Sequence, residues 1–284
     1  RTEARAAELA QYRPEVARGD ILQADSLPEA CGGVDAVLHL AAVIREKGDA
    51  TFQRVNYEGT RNLAAAAAAA GVKRFILAST LGASPDPAIP YLYSRWMAEQ
   101  EVARTFQRHT VIRFSVGFGE GDEFFNVLAA LVRLSPVVPV VGDGSSRFQP
   151  IDIDVARCMV AAYEGEGAAG EALELGGPQH LTYEDILDLV AETLGVRVRK
   201  IHLPAGLVAP LVAAMEAVAP RPPVTRQQLK MLGMDNTTDP MSVKKRFGFT
   251  PRPLRGSLGY LSKIGWGDAL KISLGFMPAH IRDH

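Results

Sequence analysis

The sequence predicts an α/β fold, a doubly wound parallel sheet followed by a smaller, mainly helical C-terminal region. Three observations predict it. The first half alternates short apolar runs with longer helical stretches, the order that sets helices on both faces of a parallel sheet. The apolar runs are nearly continuous, as in Asp35-Ala-Val-Leu-His-Leu-Ala41, which suits strands covered on both faces. Beyond Gly176-Gly-Pro178 the chain turns mainly helical.

In chain order, Glu3 to Gln11 has a helical pattern and Val16 to Leu22 can form a strand. Ser26 starts a short helix, with Pro28 in the first turn, where a missing N–H costs nothing. Asp35 to Ala41 is a buried strand. Thr51 to Ala70 is a long helix rich in alanine, a strong helix former, and Gly71 stops it. Lys73 to Ser79 is a second buried strand, Pro90 to Arg108 a helix, and Thr110 to Ser115 a further strand.

From Gly117 the pattern changes. Glycines, prolines and a helix over Phe124 to Arg133 predict an excursion from the sheet at 118–147. Phe148 to Ile153 and Glu171 to Leu175 are short strands joined by a helix over Asp154 to Glu164. Helices follow at Thr182 to Leu194, Ala205 to Val218 and Thr225 to Leu232, punctuated by Pro204, Pro210 and Pro220 to Pro223. The expected division is a sheet domain over 1–177 and a smaller region over 178–284.

Composition excludes several functions. The 284 residues are 47% hydrophobic, enough for a sizeable core. A net charge of -1 lacks the basic excess that nucleic acid demands. Cys31 and Cys158 make neither a disulfide framework nor a metal set and are expected as buried, reduced thiols. Asp152 and Asp154 suit the start of a helix better than a metal site. The longest apolar stretch, Leu203 to Pro220, holds three prolines and Glu216 and so reads as a docking or buried helix, not a membrane span. A cytoplasmic or organelle-interior setting fits.

Two clusters could carry chemistry. Tyr91 and Arg95 are four residues apart on a predicted helix and so share a face. A cation beside a phenol favours the phenolate, and such a phenol exchanges a proton with a substrate hydroxyl or carbonyl. Ser79 and Thr80, at the end of the preceding strand, could hydrogen-bond the same oxygen. The competing reading is a helix-start tyrosine with a surface arginine, since such pairs are common on helices. His39 reads as a sheet-packing residue. A glycine-rich phosphate turn after the first strand is not found. Gly117-Phe-Gly-Glu-Gly121 follows a late strand and lacks the spacing, and Gly142-Asp-Gly144 reads as a turn. Two expectations follow: either the parent protein carries about one further strand-helix-strand unit, roughly 30 residues, or this chain does not grip a dinucleotide in the usual way.

Several segments, in order, resemble the extended and atypical short-chain dehydrogenase/reductases, the NAD-dependent epimerase/dehydratase-like proteins. Asp35 to Ala42 is similar to their fourth-strand segment. Asn56-Tyr-Glu-Gly-Thr60 and Gly71-Val-Lys-Arg-Phe-Ile-Leu-Ala-Ser-Thr80 look like the next helix and strand. Tyr91-Leu-Tyr-Ser-Arg-Trp-Met-Ala-Glu99 resembles the Tyr-x-x-x-Lys helix, and Arg113-Phe-Ser-Val-Gly-Phe-Gly119, Phe148-Gln-Pro150 and Leu175-Gly-Gly-Pro178 continue the match. Phe124 to Pro139, Phe148-Gln-Pro150 and Asp235-Asn236 point to the branch related to the nucleotide-binding accessory subunit of respiratory complex I.

The resemblance implies a Rossmann-like fold and NAD or NADP as cofactor, with NADP slightly favoured. It implies that Asp20 and Ile21 sit by the adenine, that Ala41 and Ala42 line the pyrophosphate and ribose side, and that Asn56 supports the site. Ser79 and Thr80 would lie near the reacting carbonyl, Tyr91 would handle the proton, and Arg113 and Ser115 would approach the nicotinamide or substrate. It also implies that Arg1, at the end of the second strand, favours a 2′-phosphate. One departure stands out: the family lysine is Arg95 here, and a planar guanidinium does not simply replace an ammonium.

Two functions follow as expectations. One is an oxidoreductase or epimerase acting by hydride transfer on a carbinol or ketone carbon of a small carbonyl or sugar-like substrate. The other is a catalytically weak subunit that holds NADP(H) within a larger, respiratory-type complex. In the second, the C-terminal region would meet a protein partner in peripheral association with a membrane complex.

Overall fold

The computed structural model describes residues 12–165, 169–218, 222 and 224–282. Arg1, the expected helix at 3–11, Pro220 and Pro223 lie outside the described residues. The longer strands are β1 (Ala36–His39), β2 (Arg74–Thr80), β3 (His109–Phe114), β4 (Val137–Val141), β5 (Glu171–Leu175) and β6 (Arg199–Leu203). The longer helices are α1 (Leu27–Cys31), α2 (Gly59–Ala69), α3 (Pro90–Thr105), α4 (Phe124–Leu134), α5 (Arg157–Glu164), α6 (Tyr183–Leu194), α7 (Ala205–Val218), α8 (Arg226–Leu232), α9 (Ser242–Phe247) and α10 (Trp266–Ser273).

The main sheet runs β1-β2-β3-β5 and is parallel throughout. Alternate residues of one strand face opposite sides. Phe75 and Leu77 therefore pack with Ala64 and Ala67 of α2 and Ala98 and Val102 of α3. Ile76 packs on the other face with Cys158 and Met159 of α5 and Val243 of α9. Helices on both faces make this the doubly wound, Rossmann-like fold that the strand-helix alternation predicts. Because the strands are parallel, their C-terminal ends share one edge, with Thr80 beside Phe114 and Phe114 beside Leu175. That edge is where such sheets bind ligands.

A third core joins the excursion to the C-terminal region. Phe125 and Leu128 of α4, Val138 and Val140 of β4, Ile186 and Val190 of α6, and Ile272 of α10 all lie in it. Here β4 pairs in parallel with β6. The sequence conceals β4, because Pro139 interrupts a short Val-Val-Pro-Val-Val run. Val138 and Val140 are nonetheless fully buried, and a proline is tolerated where its N–H would point away from the ladder.

Some expected elements differ. Val16 to Leu22 forms no strand; residues 12–20 are exposed, and Gln23 N–H closes a turn on the Asp20 carbonyl at 2.8 Å. A strand exists only by pairing, and among the described residues none lies beside this segment. The long helix at 51–70 opens with a π-helical stretch, Phe52–Glu58, before α2 begins. The run at 148–153 splits into Arg147–Phe148, paired with Leu181–Thr182, and Ile151–Asp152, paired with Gly117–Phe118. Gln149 and Pro150 make the step between them, Pro150 having no N–H to continue a ladder.

The cysteines and the acids at 152 and 154 lie as expected. Both cysteines are buried and unpaired, and burial pushes the Cys158 thiol up to about 12. Asp152 caps the following helical turn through Asp154 N–H at 2.9 Å. Arg252 bridges Asp152 and Asp154. Among the described residues there is no cluster of metal-ligating side chains, and no helix is long and apolar enough to cross a membrane.

Candidate functional site

A cavity of about 410 Å³ opens at the C-terminal edge of the sheet, within the range of small-ligand pockets. Its floor comes from strand ends. Ser79 and Thr80 finish β2, Phe114 ends β3, and Ser115 follows it. Tyr91, in the first turn of α3, stands beside them. Pro90 fixes that first turn, and the Tyr91 ring meets Phe52 edge to face at 5.7 Å. Four predicted site residues, Ser79, Thr80, Tyr91 and Ser115, are thus brought together around one cavity.

Their hydroxyls are committed to different degrees. Ser79 donates to Glu99 Oε1 at 2.5 Å. Ser115 donates to the Gln149 carbonyl. Thr80 makes only a 3.3 Å contact with the Leu81 carbonyl, long for an O–H donor. Among the three serine and threonine hydroxyls, Thr80 is accordingly the freest to meet a ligand oxygen.

Arg95 does not line the cavity. It is buried on α3 and donates from Nη2 to the Ala78 carbonyl of β2. Burial pulls its pKa down, while attraction to Tyr91 and Glu99 acts the other way. Its Nη1 is buried without a hydrogen-bond partner. Arg113, expected near the nicotinamide, points elsewhere. It grips buried Glu99, with Nη2 at 2.7 Å from Oε2, and reaches Glu174 at 3.3 Å. Glu99, four residues past Arg95, is the centre of this network. Sequence reasoning passed over it, although an acid on the buried face of a helix is the signal that finds it.

The expected cofactor residues lie on the β1 side of the edge. Ala41 and Ala42 follow β1 directly and are exposed and half-buried. Asn56 is fully buried and clamps the next residue, Val43. Its Oδ1 accepts from Val43 N–H at 2.8 Å and its Nδ2 donates to the Val43 carbonyl at 3.0 Å and to Ser94 Oγ at 3.1 Å. Ile21 is docked on α2, where Asn62 donates to its carbonyl at 2.9 Å. Gly59 leaves room for it, since a Cβ there would lie 2.7 Å from the Ile21 side chain. Asp20 folds its carboxylate back on Leu22 N–H. His39 is sheet packing, hydrogen-bonded to Thr60 Oγ1 at 2.9 Å.

The cavity walls were not legible as such. Phe124, Val127, Leu128 and Leu131 of α4 form one wall, and Gln228, Met231 and Leu232 of α8 another. The spacing marks each as one helical face. It does not say that two such faces meet across a gap. Asn236 closes the pocket and accepts from Val116 N–H at 3.0 Å. Behind it, Gln149 spans Gly177 O and Thr238 N–H at 2.6 Å each.

Comparison with known proteins agrees with the fold and the cofactor class. Residues 1–117 match the family described as NAD(P)H-binding; this segment is an NAD(P)-binding domain. The chain is 26% identical over 222 residues to the mitochondrial NADH dehydrogenase [ubiquinone] 1 alpha subcomplex subunit 9 of Arabidopsis thaliana, covering 76% of this chain and 55% of that protein. It is 31% identical over 192 residues to the ceramide reductase of Caulobacter vibrioides, covering 67% and 60%. The chain thus spans little more than half the length of these relatives. Among solved structures, an NADPH-dependent quinone oxidoreductase from Escherichia coli complexed with NADPH superposes with a TM-score of 0.71 at 20% identity, over 92% of this chain and 88% of that one.

Proposed function

We propose that this chain is a nicotinamide-dinucleotide-dependent oxidoreductase or epimerase acting on a ketone or carbinol carbon, with Tyr91 as proton donor and acceptor. The observation that carries the reading is the convergence of Tyr91, Thr80 and Ser115 on one cavity at the C-terminal edge of a parallel sheet.

The residues present suit the nicotinamide-ribose end of such a cofactor. Ala41 and Ala42 put no bulky side chain over the backbone after β1. Asn56 holds the loop beside them. Arg95, one helical turn past Tyr91 on α3, keeps Nη1 as a buried donor with no hydrogen-bond partner. When bound, the nicotinamide supplies or accepts the hydride. Tyr91 gives its phenolic proton to the carbonyl oxygen during reduction and takes it back during oxidation. Thr80 donates a hydrogen bond to the same oxygen. The choice between NAD and NADP is open in this reading. The helix-rich region beyond 177, with the excursion, forms the substrate side.

The test is turnover of a carbonyl panel by the purified protein with NADPH or NADH, alongside thermal shifts with the four nucleotide forms. Ligand that binds the folded state raises the melting temperature. Tyr91→Phe is expected to cut kcat by about 100-fold or more with the nucleotide shift unchanged. Undiminished turnover in that variant would sink the role given to Tyr91.

One observation favours a second reading, a subunit that holds NADP(H) without turnover. The residue in the family lysine position, Arg95, is spent on the Ala78 carbonyl. The similarity to a complex I subunit supports a protein partner for such a subunit, inside an organelle or at a membrane complex. Nucleotide binding with no turnover on any carbonyl, restored by Arg95→Lys, is its signature.

A further inference from the structure

We infer that the cavity selects an uncharged amphiphile, a ketone or secondary alcohol borne on an aliphatic chain, and rejects nucleotide-diphosphate sugars. The inference deepens the proposed function by naming its substrate class, and rests on that reading only for the role of the polar end.

The cavity has a cluster of hydroxyls at the sheet edge and mainly apolar helix walls, with Gln228 and Asn236 as polar side chains on the C-terminal side and Arg45 and Glu123 the charged ones. Ser79, Thr80, Tyr91 and Ser115 cluster at the sheet edge, while the α4 wall presents Phe124, Val127, Leu128 and Leu131. Met231 and Leu232 of α8 face it from the other side. A carbonyl at the strand ends would extend its chain between two apolar helix faces. Aliphatic surface there leaves water without a polar group losing its partners.

Charge argues the same way. Among the described residues, Arg45 and Glu123 are the only ones with a formal charge that line the cavity, 4.0 Å apart, so they offset each other. Glu123 and Ile44 are exposed, which puts them at the mouth. Burial pushes the Tyr183 phenol, in the wall, up to about 12, so it remains neutral. A diphosphate needs cations or free helix amides. The start of α4 offers neither: Asp122 already accepts from Phe125 N–H at 2.7 Å and Asn126 N–H at 3.3 Å, and Glu123 adds a further negative charge. An anion at this helix start would meet the Glu123 carboxylate and amides that Asp122 already holds.

The experiment is calorimetric binding of a 2-alkanone series, from six to fourteen carbons or so, and of UDP-glucose, to the whole protein with and without NADP⁺. Each methylene that enters the cavity is expected to tighten Kd about threefold to fourfold, up to the length that fills it, with no heat from UDP-glucose. Met231→Arg sets a cation in a half-buried wall position and is expected to weaken the best alkanone at least tenfold, with the melting temperature little changed. Leu131→Trp, which fills the cavity, is expected to shorten the optimal chain. Binding of UDP-glucose in preference to alkanones overturns the inference. So does alkanone affinity that ignores chain length or both substitutions, since that describes a surface and not this cavity. Alkanones that bind in this pattern but are never reduced leave the inference standing and remove the proposed reaction.

Discussion

Ser79 donates to Glu99 at 2.5 Å, and this contact sets two adjacent hydroxyls apart. Glu99 is itself held by Arg113. Ser79 is therefore an outlying member of a buried ion pair, whereas Thr80, the next residue, keeps its hydroxyl for the cavity.

Thr80→Val should then be the damaging substitution for activity. Loss of one donor to a developing oxyanion is worth about 100-fold in kcat. Ser79→Ala should leave kcat within a few-fold and lower stability by about 1 kcal/mol. Steady-state kinetics on both variants decide it, and the reverse ranking would give the role to Ser79.

Glu99→Gln should destabilise the fold. Glu99 is 3% exposed and Arg113 is 22% exposed, so the variant leaves a half-buried guanidinium facing a neutral amide, with the Glu174 carboxylate at 3.3 Å as its remaining ion pair. Breaking such a pair costs about 3 kcal/mol, or roughly 6–12 °C in Tm. Urea denaturation with unchanged m-value is the measurement; a loss under about 0.5 kcal/mol would mean the pair is solvated.

His39 should make stability fall in mild acid. Burial, then the Arg95 charge, lowers its pKa from 6.5 to about 4. Below pH 6.5 the unfolded chain takes up a proton that the folded protein refuses. The contribution is complete above pH 6.5 and is lost as pH falls toward 4, about 3 kcal/mol in all. Stability measured from pH 7.5 to 4.5 should flatten in His39→Gln relative to the parent; parallel curves would refute the assignment.

Gly177→Ala should fold poorly. A Cβ there would lie 1.8 Å from the Pro150 carbonyl oxygen, and neither backbone can yield without moving Gln149. Since Gln149 ties Gly177 to Thr238, the fault would spread to the cavity edge near Asn236. Soluble yield and Tm report it, with Gly142→Ala as a comparison strained only by its positive φ of 72°.

The sequence by itself determined the alternation of strand and helix, the parallel sheet and the edge where a site would form. Near-continuous apolar strands and proline or glycine punctuation are local signals, and local signals survive without coordinates. Tyr91, Thr80 and Ser115 were legible because motif order places them at strand ends and a helix start. Arg113 was legible as a strand residue but not as the partner of Glu99, because an ion pair between a strand and a helix leaves no spacing to read. The segment at 16–22 was misread for a related reason, as an extended run becomes a strand only beside a partner. The tertiary structure alone decided that α4 and α8 meet across a gap, that Asn236 reaches back to Val116 from 120 residues away, and that Arg95 turns to Ala78. Each depends on which faces of distant elements come together, and side-chain burial is the free energy that brings them there.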